Sequence, residues 1–120
     1  MNAVNLALRF FLEVIALGAI GWWGWAQTES WWRVPLAVTA VLLTGAVWGI
    51  FAVPNDPSRG GNGLVQVPGI ARLALELLVF GAAALALKSV GRPTFAMAFT
   101  ILVVSHYAWS HERIAWLLRQ

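Results

Sequence analysis

Two Arg/Glu couples stand out. Arg9 and Glu13 sit four residues apart in ALRFFLEVIALGAIGWWGW, and Arg72 and Glu76 keep the same spacing in ARLALELLVFGA. Both surroundings are otherwise apolar. On a helix this spacing places each couple on one face, about 40° apart around the axis. A charge inside a membrane span costs about 2.5–3.5 kcal/mol on insertion scales, so such residues face a protein interior and find partners. Two kinds of chemistry follow. The crossed pairs Arg9 to Glu76 and Arg72 to Glu13 can lock two helical units together. Alternatively the four charges line a pocket for a proton, an ion or a polar ligand. Because the charges already balance, the lock needs no ligand. His106 joins the candidate binding set as a proton relay or a hydrogen-bond partner of a glutamate. His111, five residues later, is rotated off the His106 face, so the two do not chelate a metal together.

The elements that must carry these residues follow from composition. Of 120 residues 60% are hydrophobic and only 11% are charged, against about 25% charged in an ordinary soluble domain. The mean hydropathy is +0.74. A small soluble domain with this composition would leave large apolar patches in water. The chain therefore reads as an integral membrane protein. With no cysteine, it has no disulfide framework, thiolate metal site or cysteine nucleophile. The net charge of +3 comes from basic residues scattered singly among apolar runs, which gives no stripe for nucleic acid.

Four stretches are long enough to cross about 30 Å of hydrocarbon. They run from about Val4 to Ala26, Val34 to Val53, Gly69 to Lys88, and Pro93 to Trp109 or beyond. Pro35 and Pro93 suit the opening turns of helices. The fold class expected is all-α, a four-helix transmembrane bundle of two repeated hairpins in a single domain over residues 1–120. Hairpin 1 covers about 4–53, a loop 54–68, hairpin 2 about 69–110, and an interfacial C-terminal tail 111–120. The first span is retained rather than cleaved, since it carries Glu13 and bulky Trp22, Trp23 and Trp25 stand where a cleavage site needs small residues. A shift of 63 residues lays Arg9, Glu13 and Gly18 over Arg72, Glu76 and Gly81. The second helices of the two units match only in Arg33 and Pro35 against Arg92 and Pro93.

Basic residues flanking the spans favour both termini in the cytoplasm. Trp22, Trp23, Trp25, Trp31 and Trp32 are expected at one interface, and Trp48, Trp109 and Trp116 at the other. Gly18, Gly21 and Gly24, with Gly45 and Gly49, are expected to allow close helix approach and to make a homodimer or a membrane-protein partner plausible, besides membrane lipids. The tail SHERIAWLLRQ is expected to extend the last helix along the interface. No nucleophile with a base, phosphate loop or metal-ligand cluster is present in the pattern, so neither an enzyme nor a metal or other cofactor is expected.

RFFLE, WGIFAVP, RLALELLVFGAAALAL and GRP together resemble the YrdB-like family of small bacterial four-span membrane proteins, a domain of unknown function. The resemblance covers most of the chain. It implies a bacterial plasma membrane location and brings no activity or ligand. Small multidrug transporters also have four spans and a carboxylate in the first helix, and EVI is similar to that local sequence. This chain departs from them in the Arg one turn before Glu13, the second Arg/Glu couple and the long central loop. An arginine beside a carboxylate holds it ionised and unsuited to carry protons near neutral pH. A non-enzymatic structural or interaction module is therefore the leading expectation. The alternatives are a small transporter or channel subunit using Glu13 and Glu76, and a binder of a lipid headgroup or small ligand between the hairpins.

Overall fold

The structure, a computed structural model, describes residues 1–59, 61 and 63–120. Among the described residues the regular structure is helical apart from one pair of two-residue strands. Helices α1 (Ala3–Trp25), α2 (Arg33–Ile50), α3 (Gly69–Ser89), α4 (Pro93–Trp109) and α5 (His111–Leu118) are joined by short turns and one loop. The first, second and third are long and apolar enough to cross a membrane, by length and composition. The fourth is apolar but has 17 residues.

Local chemistry sets the boundaries. Asn2 caps α1, its side-chain oxygen accepting from the Asn5 N–H at 2.8 Å. At the end of α3, Gly91 takes φ +82°. The Arg92 N–H then reaches back to the Leu87 carbonyl at 2.9 Å and the Gly91 N–H to Lys88 at 3.1 Å. This left-handed closure suits glycine, and Pro93 opens α4 directly after it.

The second span ends earlier than expected. Helix α2 stops at Ile50, and Phe51–Ala52 instead pairs in parallel with Val65–Gln66. The pairing continues in the Val67 N–H to Ala52 carbonyl bond at 2.9 Å, which holds the two ends of the connection together. The loop expected over 54–68 includes Gly60 and Asn62, which lie outside the described residues.

Buried positions recur at helical spacing. On α1 they are Asn5, Arg9, Leu12, Ala16, Ala19 and Gly24, and on α3 Gly69, Arg72, Glu76, Phe80, Ala83, Ala86 and Leu87. Each helix thus has one stripe, polar at the loop end and apolar beyond it. Phe99 and Val103 of α4 complete the apolar part. Phe80 sits at its centre, edge-on to Trp48, Phe99 and Tyr107 with ring centroids 5.1, 5.9 and 6.1 Å away.

Helix α2 differs from the expected equal partner in a bundle, because it contributes no buried residue. It lies against α1, where Gly21 and Gly24 make the room. A Cβ on Gly24 would come within 2.9 Å of the Ala37 Cα and the Leu36 carbonyl, and one on Gly21 within 2.9 Å of a Val41 methyl. By contrast Gly18, Gly45 and Gly49 face open space, so the close approach expected of them does not occur within the chain.

The tail also departs from expectation. Helix α4 breaks at Ser110 and α5 is a separate helix that folds back on the start of α3. Arg113 and Leu117 are buried, and a Cβ on Gly69 would collide with the Leu117 carbonyl. What draws the tail inward is the set of acids that Arg113 meets there.

Candidate functional site

Helix α3 carries Glu76 into the middle of the polar end, where it is fully buried. Its Oε2 lies 2.7 Å from Arg72 Nε, 2.8 Å from Arg113 Nη2 and 2.9 Å from Arg9 Nη2. Its Oε1 accepts from the Tyr107 hydroxyl at 2.6 Å and from Arg113 Nη1 at 3.0 Å. Three arginines from three helices thus converge on one carboxylate. A buried ion needs such saturation, because its attraction to a single partner barely offsets the loss of water.

Arg113 fastens the network to the central loop. Its Nε donates to Asp56 Oδ1 at 2.8 Å and its Nη2 to Asp56 Oδ2 at 2.7 Å, the two-pronged geometry a guanidinium favours with a carboxylate. Ser58 adds two bonds to Asp56 Oδ1, from its N–H at 2.9 Å and its hydroxyl at 2.8 Å. Burial alone would raise the Asp56 pKa, but the Arg113 and Ser58 hydrogen bonds outweigh it and hold the carboxyl below its ordinary value. For Arg113 burial acts to lower the pKa, and bonding to Asp56 and Glu76 carries it above the usual arginine range instead.

Arg72 ties in α2. Its Nη1 donates to the carbonyls of Trp48 at 2.6 Å and Phe51 at 2.7 Å, satisfying acceptors that a helix C-terminus leaves unpaired. The Trp48 ring meets two arginines, with guanidinium carbons of Arg72 and Arg9 at 4.6 and 5.3 Å from its centroid. Trp48 is therefore a platform within the polar layer.

Of the crossed pairs, Arg9 to Glu76 is present, whereas Arg72 to Glu13 is not among the ion pairs of the described residues. Glu13 meets Arg9 at 3.3 Å and is 26% exposed. The couples with identical spacing thus have different environments. His106 is buried but bonds no glutamate. Its Nδ1 lies 2.8 Å from Asn5 Oδ1, and the Asn5 amide donates to Ser110 Oγ at 2.8 Å. With the Asn5 oxygen as acceptor Nδ1 carries the proton, leaving Nε2 as a lone-pair acceptor without a hydrogen-bonded partner. The glutamate's hydroxyl donor is its neighbour Tyr107. His111 is exposed and approaches only the Ala108 carbonyl, at 3.3 Å.

Sequence reasoning missed Asp56, Arg113, Tyr107 and Asn5. The tail's ERI alternation carried a signal for Arg113, since a lone basic residue spaced four before Leu117 shares its face. Asp56 had only the turn chemistry of its loop to mark it.

Arg9 is the least satisfied member. It is only 2% exposed, and Nε, Nη1 and Nη2 all lack a partner with hydrogen-bond geometry among the described residues. Its 2.9 Å approach to Glu76 is thus an ion pair whose N–H directions do not point along a bond. Arg9 walls a cavity of about 210 Å³ at the loop end together with Glu13, Trp48, Ser58, Arg59 and Arg72. A second cavity of about 170 Å³, between α1, α2 and α3, shares Glu13 and Trp48 and is otherwise lined mainly by apolar side chains such as Phe10, Val14, Leu17 and Phe80. No group of three or more His, Cys, Asp or Glu side chains suited to a metal occurs among the described residues.

The comparisons with known proteins fit the resemblance noted in the sequence. The family model described as "Protein of unknown function (DUF2568)" matches residues 7–104. The "Uncharacterized protein YrdB" of Bacillus subtilis (strain 168) is 39% identical over 120 residues, covering 100% of this chain and 98% of that protein. No solved structure matches. Matched across most of its length to the one and end to end with the other, the chain belongs to the YrdB-like, DUF2568 family.

Proposed function

We propose that this chain is a non-enzymatic integral protein of the bacterial plasma membrane, a structural or interaction module whose four apolar helices span the bilayer with both termini in the cytoplasm. One observation carries the reading: the usual distribution of polar and apolar groups is inverted. Arg9, Arg72, Glu76, His106 and Arg113 are buried, whereas Phe10, Phe11, Leu42, Leu43, Leu78, Leu85, Phe95 and Met97 are each more than half exposed. Such an exterior is stable only against lipid. At 17 residues α4 falls at the short end of the range for a span.

The polar layer then serves as a lock. It joins α1, α3, the α2 terminus, the loop and α5 through directional ion pairs, which supply what apolar contacts cannot supply between helices already in an apolar solvent. A proton carrier requires a carboxylate free to change its charge. Glu76 is held by three guanidinium groups and a tyrosine hydroxyl, which favours the lock over the transporter reading.

Topology mapping tests this, aided by the absence of native cysteine. Single cysteines at Ser30 and Gln120 are expected to label from opposite sides of intact cells, Ser30 from outside and Gln120 only after permeabilisation. Recovery of the protein in the soluble fraction, or labelling of both positions from one side, refutes it.

A further inference from the structure

We propose that the loop-end cavity binds the phosphodiester headgroup of an anionic lipid, with an acyl chain of the same molecule running in the adjoining apolar cleft. Three arginines wall the cavity, opposed by Glu13 alone. Counting the network behind the wall, Arg9, Arg59, Arg72 and Arg113 face Glu13, Asp56 and Glu76, which leaves one positive charge. A phosphodiester carries one negative charge and would balance it.

Charge alone would not make a site. The second observation is Arg9, buried and ion-paired to Glu76 at 2.9 Å and to Glu13 at 3.3 Å, yet with no partner in hydrogen-bond geometry at any guanidinium nitrogen among the described residues. A buried donor group left unsatisfied is unusual and asks for an acceptor. A phosphate, with several acceptor oxygens, suits a guanidinium fork. Arg59 donates to the Gly49 carbonyl at 3.2 Å, which draws it over the cavity mouth, and Ser58 adds a hydroxyl to the wall.

The neighbouring cleft selects lipid over free phosphate. The two cavities share Glu13 and Trp48, so a polar chamber of about 210 Å³ meets an apolar one of about 170 Å³ at common residues. An amphiphile with one charged end matches that sequence of surroundings. Depth agrees as well: at about 1.5 Å per residue, Arg9 and Arg72 lie only about 9 and 5 Å into their helices, near the level of headgroups.

The inference rests on the membrane reading, and its test is separable from it: fractionation decides whether the chain is a membrane protein, and the following titration decides whether the site exists. Protein purified in a neutral maltoside detergent is titrated with phosphatidylglycerol, with phosphatidylcholine of the same chains, and with inorganic phosphate, and the thermal midpoint is followed by tryptophan fluorescence. Phosphatidylglycerol is expected to raise the midpoint at concentrations where the other two do not. Arg59→Gln, outside the ion-pair lock, is expected to weaken the apparent affinity about tenfold, the factor that corresponds to 1.4 kcal/mol at 25 °C. Arg9→Lys keeps the charge but not the fork and is expected to weaken it as well, whereas Glu13→Gln strengthens it. Arg119→Gln, on an exposed residue away from the cavity, leaves it unchanged. Equal response to both lipids, or equal loss with Arg59→Gln and Arg119→Gln, would overturn the proposal. Stabilisation by inorganic phosphate at the same concentrations would assign the cavity to free phosphate and overturn the lipid assignment.

Discussion

Replacing Glu76 by Gln keeps the side chain's volume and removes only its charge. In the native layer Arg9, Arg72 and Arg113 all approach Glu76 within 2.9 Å. After the change these three buried cations face only Asp56 and Glu13, and one amide group must turn its N–H side toward a guanidinium or the Tyr107 hydroxyl. Breaking a buried pair by removing one partner costs about 3–5 kcal/mol, and with three partners the upper part of that range is expected. Glu13→Gln is the matched control. That residue has one ion-pair partner, at 3.3 Å, and is 26% exposed, so solvent screening limits its loss to about 0–1 kcal/mol. Reversible unfolding in mixed detergent micelles, read by fluorescence of the eight tryptophans, gives both values. Equal losses for the two variants, or a loss below about 1 kcal/mol for Glu76→Gln, would refute the account of Glu76 as the hub. The double variant Glu76→Gln with Arg9→Gln restores charge balance and is expected to cost less than the sum of the singles, by about 0.5–3 kcal/mol.

Tyr107→Phe removes the hydroxyl that donates to Glu76 Oε1 at 2.6 Å; the expected loss is about 1–3 kcal/mol in the same assay. Gly69→Ala sets a methyl group against the Leu117 carbonyl, so α5 should lift from α3, seen as faster proteolysis within residues 111–120 while the helices of the body stay protected. The clasp between Asp56 and Arg113 should also make stability depend on acid. Because the folded Asp56 pKa lies below the ordinary 3.8, the unfolded chain binds the proton first as pH falls. The stabilisation is complete above about pH 5 and fades as pH drops through 3.8 toward the lowered folded value. Subtracting the unfolding curve of Asp56→Asn from that of the native protein should isolate this component, and a difference that does not shrink between pH 5 and pH 3 would count against it.

The helices were legible because their signals are local. Gly91 and Pro93 mark the start of α4, whereas its end, expected at Trp109 or beyond, falls at Trp109 because the tail breaks off as α5. The Arg9 to Glu76 contact was legible as well, since burial of a charge demands a partner and few were available. What stayed hidden depends on chain segments meeting at long range. Asp56 lies in a loop of turn-forming residues and looks solvated until Arg113 arrives from 57 positions away. Tyr107 was overlooked beside His106 because a histidine suggests chemistry more readily than a tyrosine, yet the residues point about 100° apart on a helix and only one faces the glutamate. Helix α2 is apolar enough to cross a membrane, as α1 and α3 are, and composition could not reveal that it would bury no residue.

The different fates of the two Arg/Glu couples follow from where the rest of the chain goes. Only the couple on α3 closes tightly through its own spacing, Arg72 bonding Glu76 at 2.7 Å, while Arg9 stands 3.3 Å from Glu13 and closer, at 2.9 Å, to Glu76. Helix α3 lies against α1, α4 and α5, so its acid can collect a cation from either side, and the tail supplies the third. Helix α1 has α2 on its other side, and at the loop end α2 offers the Trp48 ring and its terminal carbonyls, its one cation, Arg33, lying at the opposite end. Glu13 is thereby left at the border of two cavities with its charge only partly matched. Once the Arg113 guanidinium is committed to Asp56 and Glu76, the same sequence element that makes a saturated hub on α3 makes an open edge on α1. The proposed lipid site accordingly lies at this open edge beside Glu13 and Arg9, and not at Glu76, whose carboxylate is saturated.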